Sequence, residues 1–78
     1  MDITIKRIGQ SVNGETVYRV YPMNSHLDIG DVIRRSGRRW CAWPAVRGEM
    51  RPRSAVTHHE TRREAIARLI AHVDDASL

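Results

Sequence analysis

The candidates for nucleophilic or metal chemistry are Cys41, His58, His59 and His72. Cys41 has no flanking His or Asn to draw off its proton, so its strand reads as structural and the thiol as a small buried or half-buried side chain. His58 and His59 are adjacent and point apart on any strand or helix. With no Cys-x-x-Cys or His-x-x-x-His spacing, no metal site is expected. Ser, His and Asp occur, but without a nucleophile elbow or an oxyanion loop. Glu15, Glu49, Asp74 and Asp75 fall at turns and ends, and no carboxylate pair is placed to share a pocket. Gly9, Gly14, Gly30, Gly37 and Gly48 are dispersed, each at a turn or strand kink, and build no phosphate-cradling loop. The expectation is a protein that is not an enzyme and carries no cofactor.

Charge is the remaining chemistry. The chain has 13 Lys and Arg and a formal net charge of +4, and Lys6 is the sole lysine. Such a bias for arginine fits a GC-rich genome, yet arginine also suits phosphate, because its planar fork donates in pairs. The distribution says more. Residues 34–53 hold Arg34, Arg35, Arg38, Arg39, Arg47, Arg51 and Arg53 against Glu49 alone, which leaves the remainder of the chain net acidic. A local positive field is what an anion-binding surface needs.

These groups must be positioned by a small body. Seventy-eight residues, 41% hydrophobic and 28% charged, suit one folded domain with no second core. No apolar run approaches the ~20 residues of a membrane helix. The opening residues lack a secretory pattern, and one cysteine forms no internal disulfide, so a cytoplasmic protein is expected.

The expected architecture is α+β: an antiparallel sheet of about five strands with one C-terminal helix on one face. Residues 1–22 read as an N-terminal hairpin around a type I′ turn at Asn13-Gly14. That turn sets 5 opposite 22, 7 opposite 20 and 9 opposite 18, and puts Ile3, Ile5, Tyr18, Val20 and Pro22 on one face. Residues 27–57 read as a three-stranded sheet. A tight Ser36-Gly37 turn sets 33 opposite 40 and 34 opposite 39. One face then carries Leu27, Ile29, Ile33, Trp40 and Ala42 as core, and the other Val32, Arg34, Arg39, Cys41 and Trp43. A third strand over 50–57 follows a turn at 47–49. A three-residue loop is preferred there, because a two-residue loop would bury Arg51 and Arg53 unpaired. Thr61-Arg-Arg-Glu64 is a capping box that opens a helix over 61–73, with Ile66, Leu69, Ile70 and Val73 as its apolar stripe. Asp74-Asp75 opposes a helix C-terminus and should end it near Val73.

In this register Arg34, Arg39, Trp43, Arg51 and Arg53 share the sheet face that the helix leaves uncovered. A solvated basic face would have the same composition. An aromatic ring among arginines with no cover of its own favours a partner instead.

The pattern Gly30-x-Val32-x-Arg34-x-x-Gly37-x-x-Trp40-x-Ala42, followed by Thr61-x-x-Glu64-Ala65, resembles the three-strand-plus-helix domains of the AP2 and integrase arm-binding type over roughly residues 30–70. The resemblance implies that the glycines, Trp40 and Ala42 pack under the helix, and that Arg34 and Trp43 lie on the DNA-facing side. The chain departs from the family in lacking the Gly-Thr-Phe entry to the helix, where it has Ala55-Val56-Thr57-His58-His59. It also has one extra residue between Gly37 and the aromatic, and an added N-terminal hairpin.

The resulting expectation is a small binding protein of phage or mobile-element type that uses an Arg-rich face on nucleic acid. The alternative is an accessory inhibitor that sets the same basic face against an acidic or nucleic-acid-binding host complex, in the anti-defence or anti-CRISPR manner. No membrane partner is expected. The chain would act as a monomer, or as a homodimer through the uncovered face.

Overall fold

The computed structural model describes residues 2–76; Met1, Ser77 and Leu78 lie outside it. Six strands precede one helix: β1 (Ile3–Gln10), β2 (Thr16–Pro22), β3 (Gly30–Arg35), β4 (Arg39–Val46), β5 (Glu49–Met50), β6 (Thr57–His59) and α1 (Arg62–Ala76). The first four form an antiparallel meander, and β5 and β6 pair with opposite ends of the free side of β4. The helix packs on one side of the sheet. This is the α+β architecture expected from the sequence.

The helix begins with half of its capping box formed, because the Glu64 carboxylate reaches the Glu60 N–H, one residue before the cap, in place of the Thr61 N–H. The Glu64 N–H donates to Thr61 Oγ1 at 3.1 Å, and Glu64 Oε2 accepts from the Glu60 N–H. Ala65 and Leu69 are fully buried against Val20, Ile29, Val32 and Ala42. Ile3, Ile5, Trp40, Ile66, Ile70 and Val73 complete the cluster. The helix runs past Val73 to Ala76. Asp74 is exposed there, so its repulsion from the helix terminus is screened and costs under about 1 kcal/mol. Packing of Val73 against the core outweighs it.

Each turn departs from its expected form. In the first hairpin Gly14 takes a positive φ of 78° and Asn13 does not, so the turn is not type I′. The loop spans Val12, Asn13 and Gly14, closed by Ser11 N–H donating to the Glu15 carbonyl at 2.8 Å. A bulge between Arg7 and Gly9 shifts the register again. Ile5 therefore faces Val20, Arg7 faces Tyr18 and Gly9 faces Val17. The two shifts together total two residues, so the expected core face of Ile3, Ile5, Tyr18, Val20 and Pro22 is preserved.

The second hairpin differs by one residue, and parity is lost. Its loop is Ser36 to Arg38, with Gly37 and Arg38 both left-handed. Arg35 then faces Arg39, Arg34 faces Trp40, Ile33 faces Cys41 and Val32 faces Ala42. A one-residue slip turns every side chain of the strand to the other face. Val32 enters the core, Ile33 leaves it and Arg34 moves to the helix side. Strand β3 begins at Gly30 rather than Leu27, and Leu27 is 54% exposed.

After β4 the chain uses the two-residue turn, with Arg47 and Gly48 at φ 55° and 78°. No arginine is buried, because pairing breaks after Met50. Pro52 has no N–H to donate, a 3-10 turn follows at Arg53–Ala55, and β6 resumes pairing at Thr57. The expected continuous strand over 50–57 is thus two short strands with a detour between them.

Gly30 sits where Leu69 of the helix and the Trp43 backbone leave no room for a side chain. Its φ is 142°, and a Cβ placed on it would lie 2.8 Å from Leu69 Cδ2 and against the Trp43 carbonyl. Gly30→Ala is expected to lose about 2–4 kcal/mol of stability in urea unfolding, from backbone strain and the clash with the Trp43 carbonyl, with displacement of Leu69 added. Gly9→Ala, with open space around its Cβ, should lose no more than about 1–2 kcal/mol from backbone strain. Equal losses would show that residue 30 does not set the helix–sheet distance.

Candidate functional site

The face turned away from the helix collects β2, β3, β4 and β6 side chains at odd positions of β3 and β4. Across it, Arg19 faces Asp31, which faces Trp43; Val17 faces Ile33, which faces Cys41, which faces His58. At the turn end Arg35 faces Arg39.

Arg19 makes a fork-to-fork pair with Asp31, Nε to Oδ1 at 2.9 Å and Nη2 to Oδ2 at 3.2 Å. Asp31 is buried, and Asp28 Oδ2 lies 3.9 Å from the same Nε without a hydrogen bond. Burial pushes the Asp31 carboxyl above its ordinary value, against the pull of Arg19, and Asp28 pushes it the same way. The hydrogen bond to Asp31 in turn raises the Arg19 guanidinium. Arg35 is held by Glu15 at 3.4 Å.

Trp43 is half-buried. Its indole N–H donates to the Arg51 carbonyl, and the Arg51 N–H donates to the Pro44 carbonyl at 3.1 Å. This pair of bonds pins the detour to β4 and carries Arg53 over the Trp43 ring, 5.9 Å from its centroid.

The five residues expected to form one site are divided by the structure. Trp43 and Arg53 meet directly. Arg51 joins them through its backbone, with its side chain exposed. Arg39 shares their face at the far end of β4. Arg34 does not: it lies on the helix side beside Trp40, because the β3–β4 loop is one residue longer than expected. Arg35 takes its place on the open face. Trp40 and Ala42 pack under the helix as expected, and Trp40 meets Tyr18 at 6.0 Å between ring centroids.

The open face is not bare. The tip of the first hairpin, Ser11 to Asn13, forms one wall of a groove of about 320 Å³ whose other sides include Ile33, Trp43, Arg53 and His58. Sequence reasoning also missed a pair at its edge. Cys41 Sγ lies 3.2 Å from His58 Nδ1, brought there by β4–β6 pairing across 17 residues. The six-residue detour between β5 and β6 hid this pairing. Burial pushes the fully buried Cys41 thiol up, so it is held as a thiol rather than activated as a thiolate. Among the described residues, no cluster of three or more His, Cys, Asp or Glu is arranged to hold a metal. None of the described helices is long and apolar enough to cross a membrane.

No family model, no curated protein and no solved structure matches the chain.

Arg19→Met keeps the aliphatic stem and removes the guanidinium from Asp31 and Asp28. At neutral pH it is expected to cost about 2–3 kcal/mol in urea unfolding, less than a fully buried pair would lose, because Arg19 is 35% exposed. The folded variant should bind a proton at Asp31 more tightly than its unfolded chain does. The deficit therefore shrinks as pH falls through the raised pKa of Asp31 and returns as pH rises. A deficit that does not change with pH would show that Asp31 is not the group left unpaired.

Proposed function

We propose that the chain is a non-enzymatic cytoplasmic protein that binds nucleic acid through the phosphate backbone, using the open sheet face and the β3–β4 turn. The observation that carries this reading is the run of exposed guanidiniums from Arg38 and Arg39 at the turn to Arg53 on Trp43. None of the three has a carboxylate partner among the described residues. Arg35, opposite Arg39 and lining the same groove as Arg53, is neutralised by Glu15. Phosphate binding calls for separated positive donors of this kind along a surface.

Arg38 adds a second argument. It holds φ 61°, a conformation that glycine or asparagine adopts at less cost. A side chain that accepts roughly 1 kcal/mol of backbone strain and touches no carboxylate in its own fold is well placed to meet a charge outside it.

A mobility-shift titration at two salt concentrations tests the reading. Binding is expected at low salt, with the logarithm of affinity falling on log salt with a slope of about −2 to −3, as for three or four phosphates. Arg39→Glu and Arg53→Glu should each weaken binding by about tenfold, and Arg34→Glu, on the other side of the sheet, by less. Equal effects from all three would assign the binding to net charge rather than to this face. A folded protein that shifts nothing at low salt would overturn the reading and point to an acidic protein surface as the target.

A further inference from the structure

We infer that the groove on the open face takes one unstacked nucleobase, and that the chain therefore binds single-stranded nucleic acid in preference to duplex. The inference rests on the phosphate-binding reading above and names the form of nucleic acid that the same site prefers.

The groove has the character of a base slot. Val17, Ile33, Val56 and the Trp43 indole give it an aliphatic and aromatic lining. Its volume of about 320 Å³ is at the small end for ligand sites and suits a single ring system. The hairpin tip also lines it, and the Asn13 side chain there has no hydrogen-bond partner among the described residues. A side-chain amide offers both a donor and acceptor sites to the edge of a base.

Charge around the groove fits a base still attached to its backbone. Arg35, Arg53 and His58 border it, and Arg39 lies beyond His58 on the same face. Two carboxylates also line it, Glu15 and Asp31. Both are already committed, Glu15 to Arg35 at 3.4 Å and Asp31 to Arg19 at 2.9 Å. An incoming phosphate therefore meets Arg53 with both carboxylates of the groove already paired, while the neighbouring depression at Arg39 also holds Glu60 and Glu64.

A duplex cannot fill such a slot. Its bases are paired and stacked inside, and flipping one out costs a few kcal/mol, about a hundredfold in affinity. A single strand presents its bases at far lower cost and lets them lie on apolar and aromatic surfaces while arginines track the phosphates.

The test uses the full chain and three labelled oligonucleotides of one length: a mixed-sequence single strand, its duplex, and a single strand with abasic sites throughout. Fluorescence anisotropy should show the intact single strand binding about tenfold tighter than either of the others. In a Trp40→Phe variant, Trp43 is the remaining indole, and its emission should be quenched by the intact strand and not by the abasic one. Should that variant not fold, the anisotropy series on the unaltered chain decides alone. Equal affinity for all three oligonucleotides, or tighter binding of duplex, would overturn the base slot and leave the phosphate-binding reading standing. Binding to none of them would overturn both. Displacement of the single strand by an acidic peptide bearing one aromatic residue, at equal concentration, would assign the slot to a protein ligand and overturn the inference.

Discussion

Any residue but glycine at position 30 would drive its Cβ into the Trp43 carbonyl and against the end of Leu69. That absence of a side chain lets the helix lie close on β3 and β4. Val20, Val32, Ala42 and Ala65 close around Leu69 until none of them meets water, each contributing transfer free energy in proportion to its apolar area. A chain with one helix can seal one face in this way. The other face must be made stable by different means.

On that second face the fold uses charge and partial cover. Asp31 sits under the guanidinium of Arg19, and Glu15 holds Arg35. The indole of Trp43 ties down the detour that would otherwise leave β4 without a neighbour between β5 and β6. The tip of the first hairpin supplies a wall. A groove is left between these devices, with aliphatic residues below and arginines around. Stability and recognition are thus drawn from the same set of arginines. Arg19 and Arg35 satisfy buried or half-buried carboxylates, whereas Arg38, Arg39 and Arg53 face outward.

Much of this was legible in the residues. The Thr61-x-x-Glu64 box and the Ile66, Leu69, Ile70 and Val73 stripe announce the helix, because capping and periodicity are local properties. The core face of the first hairpin was also readable, though its register was not: a three-residue loop and a bulge shift pairing by one residue each, and together they keep parity. In the second hairpin a single extra residue, Arg38 in a left-handed conformation, had nothing to offset it. That residue exchanged Arg34 for Arg35 on the open face and Ile33 for Val32 in the core. Turn length depends on whether a non-glycine residue accepts positive φ, which tertiary packing decides and local sequence does not. The Cys41–His58 contact depends in the same way on the length of the detour between β5 and β6, which no periodic pattern encodes.

The central claim is that one face of this sheet meets a polyanion, and its most direct test is a map of the contact itself. Backbone amide and arginine side-chain NMR shifts, followed as an oligonucleotide is added, should move at Arg35, Arg38, Arg39, Trp43, Arg53 and His58 and stay fixed along the exposed side of the helix, at Arg63 and Arg68. Shifts concentrated on the helix, or spread evenly over every arginine, would contradict the account.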